Sequence, residues 1–267
     1  MKNLCFIADQ TCEAPVQRQT LGSVRLRSVF SRSSDAQLLG QPGQDHFQVV
    51  FGESGSHQSK IAFAVCDGVG SSFMGNLGAR LLSEALCYAL WSILSVPPPT
   101  KNGQVVAGLT DFLDKLVPAS TRAVMEFTLP GKLPALTRRA LDEQRAYGSE
   151  AMFVCGMLLN GCWTFAWLGD ARLQILDEHL CAVEGVSAIS DTNNRWSSSR
   201  GARGVVQAHV FRAKSAQAIK HILAFSDGLA SVETQLASMS DEAINAEVAR
   251  LTLSTTSDDI SFLHFML

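Results

Sequence analysis

An α+β fold with antiparallel strand pairing is predicted by three observations on this sequence. Eight short apolar runs, rich in β-branched and aromatic residues, are spread along the chain. Two of them are joined by Asn160-Gly161, the strongest short signal for a tight hairpin, which argues against an all-parallel sheet. Helical patterning forms a block between the second and third runs and returns once near the carboxyl end.

The elements follow in order. "FQVVF" (47–51) and "IAFAVC" (61–66) are strands by composition. "NLGARLLSEALCYALWSIL" (76–94) is apolar on more than one side, which suits a helix between a sheet and another helix, and "PPPT" (97–100) stops it because proline cannot donate to the preceding turn. In "QVVAGLTDFLDKLV" (104–117), Val105, Leu109, Phe112 and Leu116 share one helical stripe, with Asp111, Asp114 and Lys115 off it. A third helix covers "PALTRRALDEQRAY" (134–147). Strands are expected at 151–159, 162–169, 172–176, 205–211, 221–226 and 260–267. The polar "SDTNNRWSSSRGARG" (190–204) is a loop or flap, and 231–250 is one more helix. No repeat, low-complexity linker or composition shift divides the chain, so residues 1–267 are expected to form a single domain.

Composition narrows the function. With 46% hydrophobic and 18% charged residues, the 267-residue chain can bury a sizeable core. A net charge of -3, with no Lys/Arg block interleaved with aromatics, supplies no field for a nucleic-acid backbone. No apolar run reaches the roughly 18 residues that span a bilayer. The amino end "MKNLCFIADQTCEAP" meets Asp9 too early for a secretory signal, so a cytoplasmic location without membrane association is expected. Seven cysteines, at 5, 12, 66, 87, 155, 162 and 181, form no C-x-x-C pair and fit neither a disulfide framework nor a zinc site. They are expected to be mostly buried reduced thiols, with structural roles for Cys66 and Cys155.

The chemistry lies where strands stop. "FAVCDGVGSS" (63–72) runs a buried strand into Asp67 on a glycine-rich turn, and Asp45, Asp170, Asp227 and the Asp258-Asp259 pair also stand at strand ends. One Asp-Gly is an ordinary turn. Several carboxylates on one rim repel unless cations neutralise them, and an all-oxygen set without His or Cys suits Mg²⁺ or Mn²⁺ rather than Zn²⁺. Glycines after Asp67 and Asp227 let backbone approach such ions closely. His46, beside Asp45, faces the other side of its strand, and Trp163 and Trp167 belong to an apolar strand tract and hence to the core.

In chain order, "GQDHF" (43–47), "CDGVGSS" (66–72), "YGSEAMF" (147–153), "LGDARLQIL" (168–176), "FSDGLASV" (225–232) and "SDDISFL" (257–263) resemble the motifs of the metal-dependent Ser/Thr protein phosphatases of type 2C. The resemblance implies a four-layer α-β-β-α sandwich of two antiparallel sheets flanked by helices, with two divalent ions, Mn²⁺ or Mg²⁺, at one edge. It implies that Asp67 bridges the ions, that the Gly68 carbonyl and Asp45 serve one, that Asp227 and Asp258 hold the other, and that Asp170 matches a weaker third site. It further implies attack of a metal-bridging water or hydroxide on phosphoserine or phosphothreonine, with phosphoproteins as substrates and a Ser/Thr kinase, or its targets, as partners.

Four positions depart from that pattern: Val69 replaces a His, Gln44 an acid, Glu150 a Thr, and Gly40 the arginine that grips phosphate. Arg32 and Arg27, in "SVRLRSVFSRSS" (23–34), and Arg200 and Arg203, on the polar flap, are the candidate replacements, with Arg32 taken as the substrate-binding residue. Gly40, Val69 and Glu150 also leave open a noncatalytic phosphatase-like module that binds a phosphoprotein or kinase, and the same acids would serve a small-molecule phosphatase.

Overall fold

The computed structural model describes residues 4–53, 59–93, 99–131, 133–183, 191–254 and 257–267. The chain opens with β1 (Leu4–Ile7), β2 (Ala14–Leu21), β3 (Val24–Ser31) and the short helix α1 (Ser34–Leu38). It continues through β4 (His46–Glu53), β5 (Ser59–Gly68), α2 (Gly75–Tyr88), α3 (Asn102–Glu126) and α4 (Ala135–Arg145). Next come β6 (Glu150–Leu159), β7 (Cys162–Leu168), β8 (Arg172–Leu176), β9 (Arg195–Ser197), β10 (Gly201–Arg203) and β11 (Gln207–Phe211). The last elements are α5 (Ala213–Ala216), β12 (His221–Phe225), α6 (Asp241–Thr252) and β13 (Ile260–Met266).

Two antiparallel sheets result. The larger runs β1-β4-β5-β6-β7-β11, with β9 joined to the end of β6 and β10 to β9; the smaller runs β2-β3-β13-β12-β8. Side-chain alternation decides how they stack. In β5, Ile61, Phe63 and Val65 face the smaller sheet, whereas Ala62, Ala64 and Cys66 face α2 and α3. Small residues on the helix side let Leu82 and Leu86 of α2 and Val105 and Leu109 of α3 pack closely. Between the sheets, Phe63 meets Phe265 at 4.8 Å between centroids and Trp163 stacks on Phe165 at 5.4 Å. On the far side of the smaller sheet, Ile244 and Val248 of α6 cover Leu223, Phe225 and Phe262. The layers are helix, sheet, sheet, helix, and the apolar area in the middle one dominates the core.

Asn160 and Gly161 both adopt positive φ, 52° and 72°, so the predicted hairpin forms between β6 and β7. Among the described residues, no helix is long and apolar enough to cross a membrane.

Several expectations need correction. The 231–250 helix is confined to Asp241–Thr252, because the Ser240 side chain accepts from the Ala243 N–H and caps it there; a 3₁₀ turn, Asp227–Val232, precedes it. The 190–204 flap contains the β9–β10 hairpin, with residue 190 outside the described residues. The 76–94 helix ends at Tyr88 in a π turn, Ala89–Ile93; residues 94 and 97–98 lie outside the described residues. α3 runs past its predicted end, through Pro118, and buries Leu113 rather than Phe112 or Leu116, which are half-buried. Of the cysteines only Cys66, Cys87 and Cys155 are buried; Cys5, Cys12 and Cys181 are exposed on edges and turns.

Candidate metal centre

The register of the larger sheet brings two acids together. His46 of β4 pairs with Cys66 of β5, so Asp45, one residue earlier, lies alongside Asp67. Gly68 then turns the chain where a Cβ would collide with the Gly75 and Gln44 carbonyls, so only glycine permits this approach. From the smaller sheet, β12 ends at Phe225 and delivers Asp227 on its 3₁₀ turn, while β13 starts just after Asp258 and Asp259. Ser226 fastens these ends together: its hydroxyl accepts from the Ser261 N–H at 3.0 Å and donates to the Asp259 carbonyl at 3.3 Å. Asp170 sits in the turn from β7 to β8, where the chain passes between sheets. Acids from both sheets therefore meet at one edge.

Asp45, Asp67, Asp170 and Asp259 are buried, Asp227 is half-buried and Asp258 is exposed. Burial pushes the Asp45 and Asp67 carboxyls well above their ordinary range, and negative neighbours push them further: Asp259 chiefly for Asp45, and Asp45 then Asp227 for Asp67. Asp227 rises to about 6, first through burial and then through Asp258 and Asp170. Asp170 also rises by burial, opposed by Arg172 and Arg195. Asp45 Oδ2, Asp170 Oδ1 and Asp227 Oδ1 are buried without a hydrogen-bond partner. Such orphaned acceptors are costly unless a proton or cation completes them.

Among the described residues, no three His, Cys, Asp or Glu side chains are drawn close enough to hold an ion as they stand. The fit to a hard divalent cation is one of donor chemistry and charge: oxygen donors only, with unpartnered lone pairs and mutual repulsion that a cation relieves. Asp45, Asp67, Asp170 and Asp227 are brought into this group; Asp258 lies at its exposed rim, and Gly68 supplies backbone beside Asp67.

Asp259 is the more buried of its pair. Its carboxylate accepts the N–H groups of Ser33, at 2.6 Å, and of Gln44, and so holds the loop that carries Asp45. Alternation sets Asp259 opposite Asp258 and away from the acids, yet its charge is the chief neighbour acting on Asp45. Arg32 stands at the end of β3 with its fork closed: Nε and Nη2 donate to Glu13 at 2.6 and 3.2 Å, and Nη1 donates to the Gln41 carbonyl at 3.0 Å. Arg200 is exposed, and Arg203 shares Glu150 with Arg195. His46 turns away from the acids, as alternation requires: its Nδ1 is 2.6 Å from Ser83 Oγ, and burial lowers its pKa to about 4. Trp163 and Trp167 are core residues.

The family model described as Protein phosphatase 2C matches residues 36–261. Among solved structures, the chain is similar to the serine-threonine phosphatase 2C of Toxoplasma gondii, at 12% identity and TM-score 0.57, covering 96% of this chain and 98% of that one. It is also similar to the serine/threonine phosphatase Stp1 of Staphylococcus aureus, at 12% identity and TM-score 0.56, covering 93% and 96%. A third similar structure is RsbX in complex with magnesium, at 11% identity and TM-score 0.52, covering 94% and 99%. No significant match is found among the curated proteins. At these identities the structures establish the shared fold, and the span of the family match establishes the lineage: the chain belongs to the protein phosphatase 2C family.

Proposed function

We propose that this chain is a metal-dependent phosphatase that hydrolyses phosphoserine and phosphothreonine in cytoplasmic proteins, with two Mn²⁺ or Mg²⁺ ions at the sheet edge. The observation that carries the reading is the set of buried acids with unpartnered oxygens, drawn from both sheets, inside the matched family span. The charges of Asp45, Asp227, Asp258 and Asp170 all act on Asp67, which would be the ligand shared by the ions; Asp45 and the Gly68 carbonyl would serve one, Asp227 and Asp258 the other, and Asp170 a third, weaker position. When bound, the ions supply a water acidic enough to attack phosphorus near neutral pH and neutralise the charge that develops. Asp259 positions the loop of Asp45 through the Gln44 N–H, and Ser226 ties the turn of Asp227 to the start of β13. The thiol nearest the site, Cys66, is pushed well above its ordinary pKa by burial and is no nucleophile.

The test is hydrolysis of phosphopeptides with Mn²⁺ or Mg²⁺, then with excess chelator. Turnover should require the metal and be nearly abolished in Asp67→Asn; undiminished turnover in chelator rejects the proposal. A second reading, a noncatalytic module that binds a phosphoprotein or its kinase, is supported by the closure of Arg32 on Glu13. It predicts phosphopeptide binding without metal-stimulated turnover.

A further inference from the structure

A phosphate dianion that approaches a rim of carboxylates needs cationic donors besides any metal, and arginine serves best because its planar fork donates two charge-assisted hydrogen bonds. Gly40 offers none, and the donors of Arg32 are directed at Glu13 and the Gln41 carbonyl.

Two other arginines flank the acids. Arg172 opens β8 two residues after Asp170 and pairs across the sheet with Phe225, which leads into Ser226 and Asp227. Arg195 opens β9, and the carbonyl of Asn194 occupies the space that a Cβ on Gly169 would need, 2.7 Å away, so Arg195 sits directly beside Gly169-Asp170. One arginine thus comes from the smaller sheet and the other from the hairpin attached to the larger one. Each is held by a single long contact to a glutamate: Arg172 Nη1 to Glu233 at 3.3 Å, and Arg195 Nη1 to Glu150 at 3.2 Å. The Nε of each is buried and has no hydrogen-bond partner. The second oxygen of Glu150 takes Arg203 at 3.1 Å, which braces the hairpin against β6.

We infer that Arg172 and Arg195 are the phosphate-binding residues of this chain, a pair that replaces the absent arginine at position 40 and receives the substrate phosphoryl group from opposite sheets. The inference rests on the phosphatase reading for its substrate, but the anion site it names can be measured without turnover. Glu233 and Glu150 orient the pair through Nη1 alone, and both side chains remain partly exposed, which leaves the rest of each fork to meet phosphate oxygens.

Binding of inorganic phosphate, followed by calorimetry in Mg²⁺, and steady-state hydrolysis of a phosphothreonine peptide are to be compared in the wild type and in Arg172→Ala, Arg195→Ala and the two lysine variants. Each alanine variant should raise KM and the phosphate Kd together by about tenfold or more, with kcat changed less. Lysine should restore part of the loss, since it keeps the charge and loses the fork. If the two arginines only balance the charge of Asp170 and Asp227, phosphate Kd will be unchanged in folded variants, and the inference is overturned; an effect confined to Arg32→Ala overturns it equally. Should an alanine variant fail to fold, its lysine counterpart decides by the same two constants. If the wild type turns over no phosphopeptide, the phosphatase reading fails separately: phosphate binding that the variants lose still upholds the anion site, and no binding by the wild type removes it.

Discussion

Replacing Asp227 by Asn should stabilise the metal-free protein in alkali and leave it unchanged in acid. The carboxyl of Asp227 is raised from its ordinary 3.8 to about 6, by burial first and by Asp258 and Asp170 next. An acid with a raised folded-state pKa takes up its proton more readily when folded than when unfolded. Its contribution is therefore neutral below the unfolded pKa, becomes unfavourable as pH rises through the window from 3.8 to about 6, and stays at its full cost above it. At 1.36 kcal/mol per unit the whole shift corresponds to about 3 kcal/mol. Because the side chain is only half-buried, solvent screening reduces this to about 1 kcal/mol. In a chain of this size that is a rise in Tm of about 2–4 °C for Asp227→Asn at about pH 8, fading to nothing near pH 4. Scanning calorimetry in chelator measures it. With saturating Mg²⁺ the order should reverse, since the wild type gains ligand stabilisation that the variant has weakened. A lower Tm for the variant at the alkaline end in chelator, or an offset that does not vary with pH, would refute the account of the acids as mutually destabilising.

Three further outcomes are expected. Gly156→Ala places a methyl 2.6 Å from Phe63 Cε1 and 2.8 Å from Phe165 Cδ1, and urea unfolding should show a loss of about 1–3 kcal/mol. Asp259→Ala leaves the Ser33 and Gln44 N–H groups without their acceptor and should cost about 1–3 kcal/mol, with faster amide exchange at those two residues. Replacing each of the seven cysteines singly by Ala should leave the metal requirement and pH profile of turnover unchanged, while the buried Cys66, Cys87 and Cys155 variants lose thermal stability through cavities.

Strand identity was legible where the buried run is apolar; β3 is buried but was not recognised, because Arg25, Arg27 and Ser28 interrupt its apolar residues. β5, β6, β7, β12 and β13 are apolar almost throughout because they lie under helices or between sheets, and their runs were recognised nearly to the residue. β1 and β2 were missed for the converse reason: they are edge strands, largely exposed, whose polar residues give no inward and outward contrast. The β9–β10 hairpin escaped notice because it is three residues a side and held by side-chain ion pairs to Glu150. At the candidate site, strand ends identified the acids, since a carboxylate after an apolar run is a local signal. The closure of Arg32 on Glu13 and the nearness of Arg195 to Asp170 depend on tertiary placement of distant segments, which no local pattern encodes.

The smaller sheet has β13 at its centre, between β3 and β12. During synthesis this strand is the last of the five to leave the ribosome, although β2 and β3 are the first. Until residues 260–266 emerge, β3 and β12 cannot meet through their shared partner and remain bare edges, a state prone to pairing with other chains. Asp258 and Asp259 arrive only with that strand, so the loop of Asp45 has no acceptor for its Gln44 N–H while the rest of the larger sheet can already assemble. Contacts between such distant segments make closure of the sandwich slow, and they tie completion of the acid edge to the synthesis of β13.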